Sequence, residues 1–230
     1  MKKNIIIIFI ALLLIPIKVM ATTITKNPGA YADVTGRAWG YPDVFVPDTF
    51  GTLAEDGASL IGHWAQLFEG WFKYTWETAI RFPNVPIANS ITILSATLTI
   101  KTPSGGGWDD LDESSLDIQA CDEDNSAQMS SFANFGSRSR TTANINWVET
   151  FDTTANTFTS PDIKTVIQEI VDRGSWASGN AIQLIVSDHT YKYDNDPPDS
   201  ESFAYCVAND VLADYDLSIT YSVGGYVFIM

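Results

Sequence analysis

The clearest alternation of apolar and polar positions runs over eleven residues, where Phe72, Tyr74, Trp76, Thr78, Ile80 and Phe82 interleave with Lys73, Thr75, Glu77, Ala79 and Arg81. A period of two predicts a strand whose aromatic face enters a core and whose charged face meets water. After a turn over residues 83–89, the β-branched run 91–100 predicts a second, central strand that Pro103 and the glycines at 105–107 end. Shorter apolar runs at 116–120, 145–148, 181–187 and 203–207 predict further strands. Leu217, Ile219, Tyr221 and Val223 alternate along a closing one. Residues 22–62 carry Pro28, Gly29, Gly36, Gly40, Pro42, Pro47, Gly51 and Gly57, which predicts a loop-rich segment with a short edge strand.

One stretch has helical spacing. Ser160 stands where an N-cap belongs, Pro161 needs no amide hydrogen at the first helical position, and Asp162 suits the positive end of the helix dipole. Ile163, Val166, Ile167, Ile170 and Val171 follow on one face, and Arg173 with Gly174 closes a helix of three turns. Many short strands and one amphipathic covering helix predict an all-β chain, a β-sandwich.

At the start, Lys2 and Lys3 precede an apolar run over residues 5–17, and Val19-Met20-Ala21 precedes Thr22. That arrangement predicts a signal peptide over residues 1–21, and the run is too short for a membrane span. The expected mature chain is one secreted or cell-surface domain over residues 22–230. Its last five residues, apolar and set off by Gly224-Gly225, suit either a final strand of their own sheet or a strand given to a neighbour.

Charge changes the list of partners. The leader holds three of the 13 basic residues and none of the 28 acidic ones, so the expected mature charge is 10 minus 28, or −18. Nucleic acid is repelled, and cations, calcium among them, are favoured. Oxygen ligands for calcium cluster at Asp122, Asp124 and Asn125, and again at Asp194, Asp196, Asp199 and Glu201, with a third group at Asp109, Asp110, Asp112 and Glu113. Each cluster reads first as a solvated loop, with a calcium site as the alternative.

Little in the sequence argues for catalysis. With only His63 and His189, a three-histidine zinc site is excluded, and no G-x-S-x-G elbow occurs. Ser104 and the three glycines after it lack the lysine of a phosphate loop. Among so many acids a carboxylate pair can always be drawn; Glu69 and Glu77, for example, lie near aromatics. Of seven tryptophans, Trp71, out of phase with the core face, and Trp108, after the glycine run, are the candidates for stacking on a sugar. Cys121 and Cys206 can pair in an oxidising compartment or remain two buried small side chains.

Three segments carry a resemblance: Ala79-Ile80-Arg81-Phe82-Pro83-Asn84-Val85-Pro86-Ile87 with the strand after it, Ser160-Pro161-Asp162-Ile163 through Arg173, and Trp176 with Ser178-Gly179-Asn180-Ala181. Together they resemble secreted bacterial and metagenomic β-sandwich domains of the DNRLRE-type and carbohydrate-binding-module-like group. The resemblance implies two paired strands joined by a proline turn, a jelly-roll-like sandwich, structural rather than catalytic roles for these motifs, and a wall-associated, adhesive or polysaccharide-directed setting. The expected function is therefore a non-catalytic extracellular structural or adhesive module. The alternatives are a carbohydrate-binding module and a filament subunit that self-associates by donor-strand exchange.

Overall fold

The computed structural model describes residues 20–41, 49–52, 59–67, 71–101, 114–150, 156–188, 202–208 and 214–223, with side chains described outside 31, 38–41, 49, 52, 59–67, 71–74, 114 and 202–208. Among the described residues, twelve strands in two antiparallel sheets form a β-sandwich, as the alternation predicts. The first sheet orders β1 (Met20–Lys26), β12 (Tyr215–Val223), β6 (Ile93–Lys101) and β9 (Thr157–Thr159). The second is built on the long β5 (Trp71–Phe82). One edge of β5 pairs with β2 (Val34–Tyr41), which pairs in turn with β3 (Thr49–Thr52). The other edge is split. Its first half takes β4 (Ser59–Leu67) and then β11 (Ser202–Ala208), and its second half takes β10 (Ile182–Asp188), β7 (Ser114–Ala120) and β8 (Ile145–Glu149) in succession.

The core lies between the sheets and follows the alternation. Ile80 and Phe82 of β5, Leu98 and Ile100 of β6, and Leu217 and Ile219 of β12 are all fully buried in it. Segment 83–92 carries the chain from one sheet to the other, so the strands over 72–82 and 91–100 do not pair with each other, contrary to what the resemblance implies. Asn84 and Ser90 take positive φ at its two turns, while Val85 and Ile87 enter the core.

Residues 22–62 hold more structure than their glycines and prolines suggest: most of β1, then a 3-10 turn at Tyr31–Asp33, then β2, β3 and the start of β4. β1 also begins at Met20, inside the segment assigned to the leader. Among the described residues two short α-helices are present rather than one. The unforeseen helix is α1 (Phe132–Ser137), whose N-cap Ser131 accepts the Asn134 amide.

The foreseen helix, α2 (Lys164–Val171), starts later and is shorter than its spacing predicts. Ser160 does not cap it. Its Oγ accepts from the Leu98 amide at 2.9 Å and its own amide donates to Leu98 O, while the Ile163 amide donates to Ala96 O. The exposed edge of β6 has taken the residues expected to cap the helix, because unpaired strand amides need partners as much as helix ends do. Val166, Ile167, Ile170 and Val171 are buried against β6 and β7, each contributing about 1.5–3 kcal/mol. Polar bonds fix the helix in place: Gln168 accepts from Ile93 N at 2.8 Å and donates to Ile91 O at 3.0 Å, and Asn89 donates to Val171 O at 3.1 Å.

Asp162 joins strand to helix, its Oδ1 accepting from Ala96 N at 2.9 Å and Lys164 N at 3.0 Å. Partial burial pulls its carboxyl upward, but those amides and the Lys164 ammonium outweigh it and hold the pKa below the usual carboxylate value. A carboxyl lowered on folding contributes stability above its unfolded pKa of about 3.9, and the contribution disappears as pH falls through the lowered value. Asp162→Asn is expected to destabilise the protein near neutral pH, with the gap from wild type closing toward pH 2, as urea unfolding at a series of pH values would show.

Candidate functional site

The middle of the charged face of β5 does not meet water. Thr75, Glu77 and Ala79 are buried, and the connection from β7 to β8, residues 121–144, folds back over the outer face of the second sheet at Glu77 and Ala79. Paired residues share a face, so one row across this face reads Asn146, Asp117, Ser187, Glu77, Arg37 and Phe50 from β8 to β3. Glu77 is its centre. Its Oε2 accepts from Arg37 Nε at 2.9 Å, Arg37 Nη2 at 2.7 Å and Arg140 Nη2 at 2.9 Å, and Glu77 is wholly buried.

Helix α1 closes this cluster. The Arg37 guanidinium carbon lies 4.6 Å from the centroid of the Phe135 ring and 5.3 Å from that of Phe132, within cation–π range. A Cβ on Gly136 would stand 2.5 Å from Arg37 Nη1, so only glycine lets the helix approach this closely.

The other three arginines work in the same layer. Arg81 donates to Asp33 Oδ1 at 2.8 Å and to Ser126 O at 2.6 Å, and Gln128 reaches the same Asp33 oxygen. Arg138 bonds Glu123 at 2.6 Å. Arg173, just past α2, bonds Asp124 at 3.0 Å and also Asp122. All five arginines of the chain thus pair with carboxylates, and all five serve the connection or the face beneath it.

This arrangement decides how the acidic loop behaves. Asp122 and Asp124, expected as calcium ligands, face the Arg173 guanidinium, and Asn125 Oδ1 accepts from Ala181 N at 2.9 Å. A calcium ion there would have to displace a cation that is already bonded. Burial lowers and those aspartates raise the Arg173 pKa, with a net rise. Among the described residues, no three His, Cys, Asp or Glu side chains are grouped to hold a metal. Asp194, Asp196, Asp199 and Glu201, the cluster at 109–113, Glu69, His189, Trp108 and the tail 226–230 lie outside the described residues, as do the side chains of Trp71, His63 and Cys206.

Cys121 is a free, buried thiol, so of the two alternatives left open the pairing with Cys206 is not the one present. Backbone pairing agrees: Cys206 lies opposite Ile61 of β4, on the first half of the split edge, whereas the Cys121 amide bonds Gln183 of β10 on the second. Burial, and after it the charge of Glu123, pushes the Cys121 thiol up to about 12 against the pull of Arg138 and Arg140. Only the thiolate is nucleophilic, so this cysteine is inert at neutral pH.

The first sheet turns a different surface outward. Thr23, Thr220 and Ser95 form one row across β1, β12 and β6, and Thr25, Ser218 and Thr97 the next. Thr99 stands beside Thr159 of β9. These hydroxyls are exposed or half-exposed, and some pair with each other, as at Thr23 and Thr220, 2.8 Å apart. The charges at the margin are partnered: Asp216 by Asn27, and Lys101 by Asp214. The result is a hydroxyl-rich face whose charges lie at one margin.

No protein-family model and no curated protein matches the chain. The resemblance described above therefore rests on the residues that carry it.

The sequence reading missed Arg37, Arg140, Phe132 and Phe135, and it placed Glu77 in water. A usable signal was the scarcity of arginine among 28 acids, since arginine is the residue best suited to buried ion pairs. Removing one partner of such a cluster leaves charge buried without compensation. Glu77→Ala is expected to cost about 3–5 kcal/mol, measured by chemical denaturation.

Proposed function

We propose that the chain is a secreted, non-catalytic extracellular module with a structural or adhesive role. The observation that supports this most directly is the pairing of all five arginines with carboxylates in the covering connection, beneath it or between it and its surroundings. Glu77, the carboxylate best placed by its aromatic neighbours to resemble an acid–base group, is wholly buried and accepts three guanidinium bonds. No substrate can reach it without lifting the connection. A general acid or base must lie within hydrogen-bond reach of the atom it serves, and this group serves two arginines instead.

The leader-like residues 1–21 support export, and the rows of hydroxyls on the first sheet support contact with an uncharged extracellular surface, since the acids elsewhere repel anionic ones. Such a face suits an adhesive role, because its hydroxyls stand in rows and the charges at its margin, Asp216 and Lys101, are already bonded to Asn27 and Asp214.

Expression in a secreting host, followed by N-terminal sequencing and by assays of retention and turnover on insoluble polysaccharides and cell-wall material, tests the proposal. The expected outcome is an exported chain beginning at Thr22 that is retained without releasing product. Release of product that Glu77→Gln abolishes would overturn the non-catalytic reading, and a chain that stays inside the cell would overturn the extracellular one.

A further inference from the structure

Two buried polar atoms beneath the connection have no partner among the described residues: Gln183 Nε2 and Ser126 Oγ, on residues 0% and 1% exposed. Backbone contacts bring their residues to one neighbourhood. The Ser126 amide donates to Ala181 O, just before β10 begins, and Gln183 follows two residues later, about 7 Å further along an extended chain at the Cα atoms. Arg81 links them again, for it donates through Nε to Ser126 O and is the cross-strand neighbour of Gln183. The other end of the Gln183 amide is engaged, its Oε1 lying 3.7 Å from Cys121 Sγ.

We infer that one internal water molecule bridges Gln183 Nε2 and Ser126 Oγ, making a hydration site between the connection and the outer face of the second sheet. A buried donor and a buried hydroxyl left dry cost more than the entropy of ordering one water. The surroundings suit it, with the Arg81 guanidinium at one side and the small side chains of Ala79 and Ala181 on the face below. Exchanging the two ends of the amide alters nothing essential: an orphan acceptor would replace the orphan donor, and water serves either.

The site has a physical consequence for the covering layer. Direct bonds at Asp33, Glu77 and Asp124 fix the connection at separate points, and the bridge joins it to β10 between them without requiring close side-chain fit.

Ser126→Ala and Gln183→Met test the inference through thermal unfolding of the purified chain. If water bridges the two atoms, each substitution lowers Tm by roughly 2–4 °C, and the double variant loses no more than the worse single one, because the bridge is lost only once. If the atoms are dry, removing either leaves Tm unchanged or raises it, and the inference fails. Losses that add in the double variant would also overturn it, since the atoms would not share a partner. A high-resolution crystal structure of the unaltered protein reads the same question directly: a solvent peak within hydrogen-bond distance of both atoms supports the bridge, and empty density there overturns it.

Discussion

Glu77 imposes the constraint on which the second sheet depends. A carboxylate at the middle of a strand, wholly out of water, is tolerable only if cations and donors surround it. Arg37 supplies two bonds from the neighbouring strand, and Arg140 supplies a third from a connection more than sixty residues further along the chain. The second of these requirements is architectural. Bringing Arg140 to Glu77 obliges residues 121–144 to lie across the sheet, and α1 then stacks Phe132 and Phe135 on Arg37.

From that constraint the protein acquires three layers where a sandwich has two. The connection has its own small apolar cluster with the sheet, in which Met129 and Phe135 meet Ala79, Cys121 and Ile185. Every residue of β10 is consequently buried on both faces, a condition more usual for central strands of parallel sheets. Among the described residues, the outer side of the first sheet carries no such cover and is rich in hydroxyls. The proposed structural or adhesive role draws on that contrast between one face packed with buried ion pairs and another lined by hydroxyls.

How much of this was legible in the sequence depended on what each segment's pattern measures. Alternation reports burial on one face, so β5, β6 and β12 and the sandwich itself could be read from Ile80, Leu98, Leu217 and their neighbours. It also misled at Glu77 and Thr75, because a polar face buried under ion pairs has the same pattern as one in water. In residues 22–62 glycine and proline obscured β2, whose Gly36 sits directly in the ladder beside Thr78. Ser160 and Asp162 carried true helix-start chemistry, yet the free edge of β6 competed for them. The arginine partners were invisible because the pairs span 40 residues from Arg37 to Glu77 and 63 from Glu77 to Arg140, separations that no local pattern encodes.

Hydrogen exchange resolved along the chain, compared between the wild type and Arg140→Met, tests most directly whether buried charge holds the covering layer in place. The expected result is faster exchange over residues 122–141 as a block, with β6 and β12 still protected, because the connection opens as a unit while the sandwich stays closed. Unchanged exchange over 122–141, or an equal loss of protection throughout the chain, would show that the connection is held by something other than its arginines.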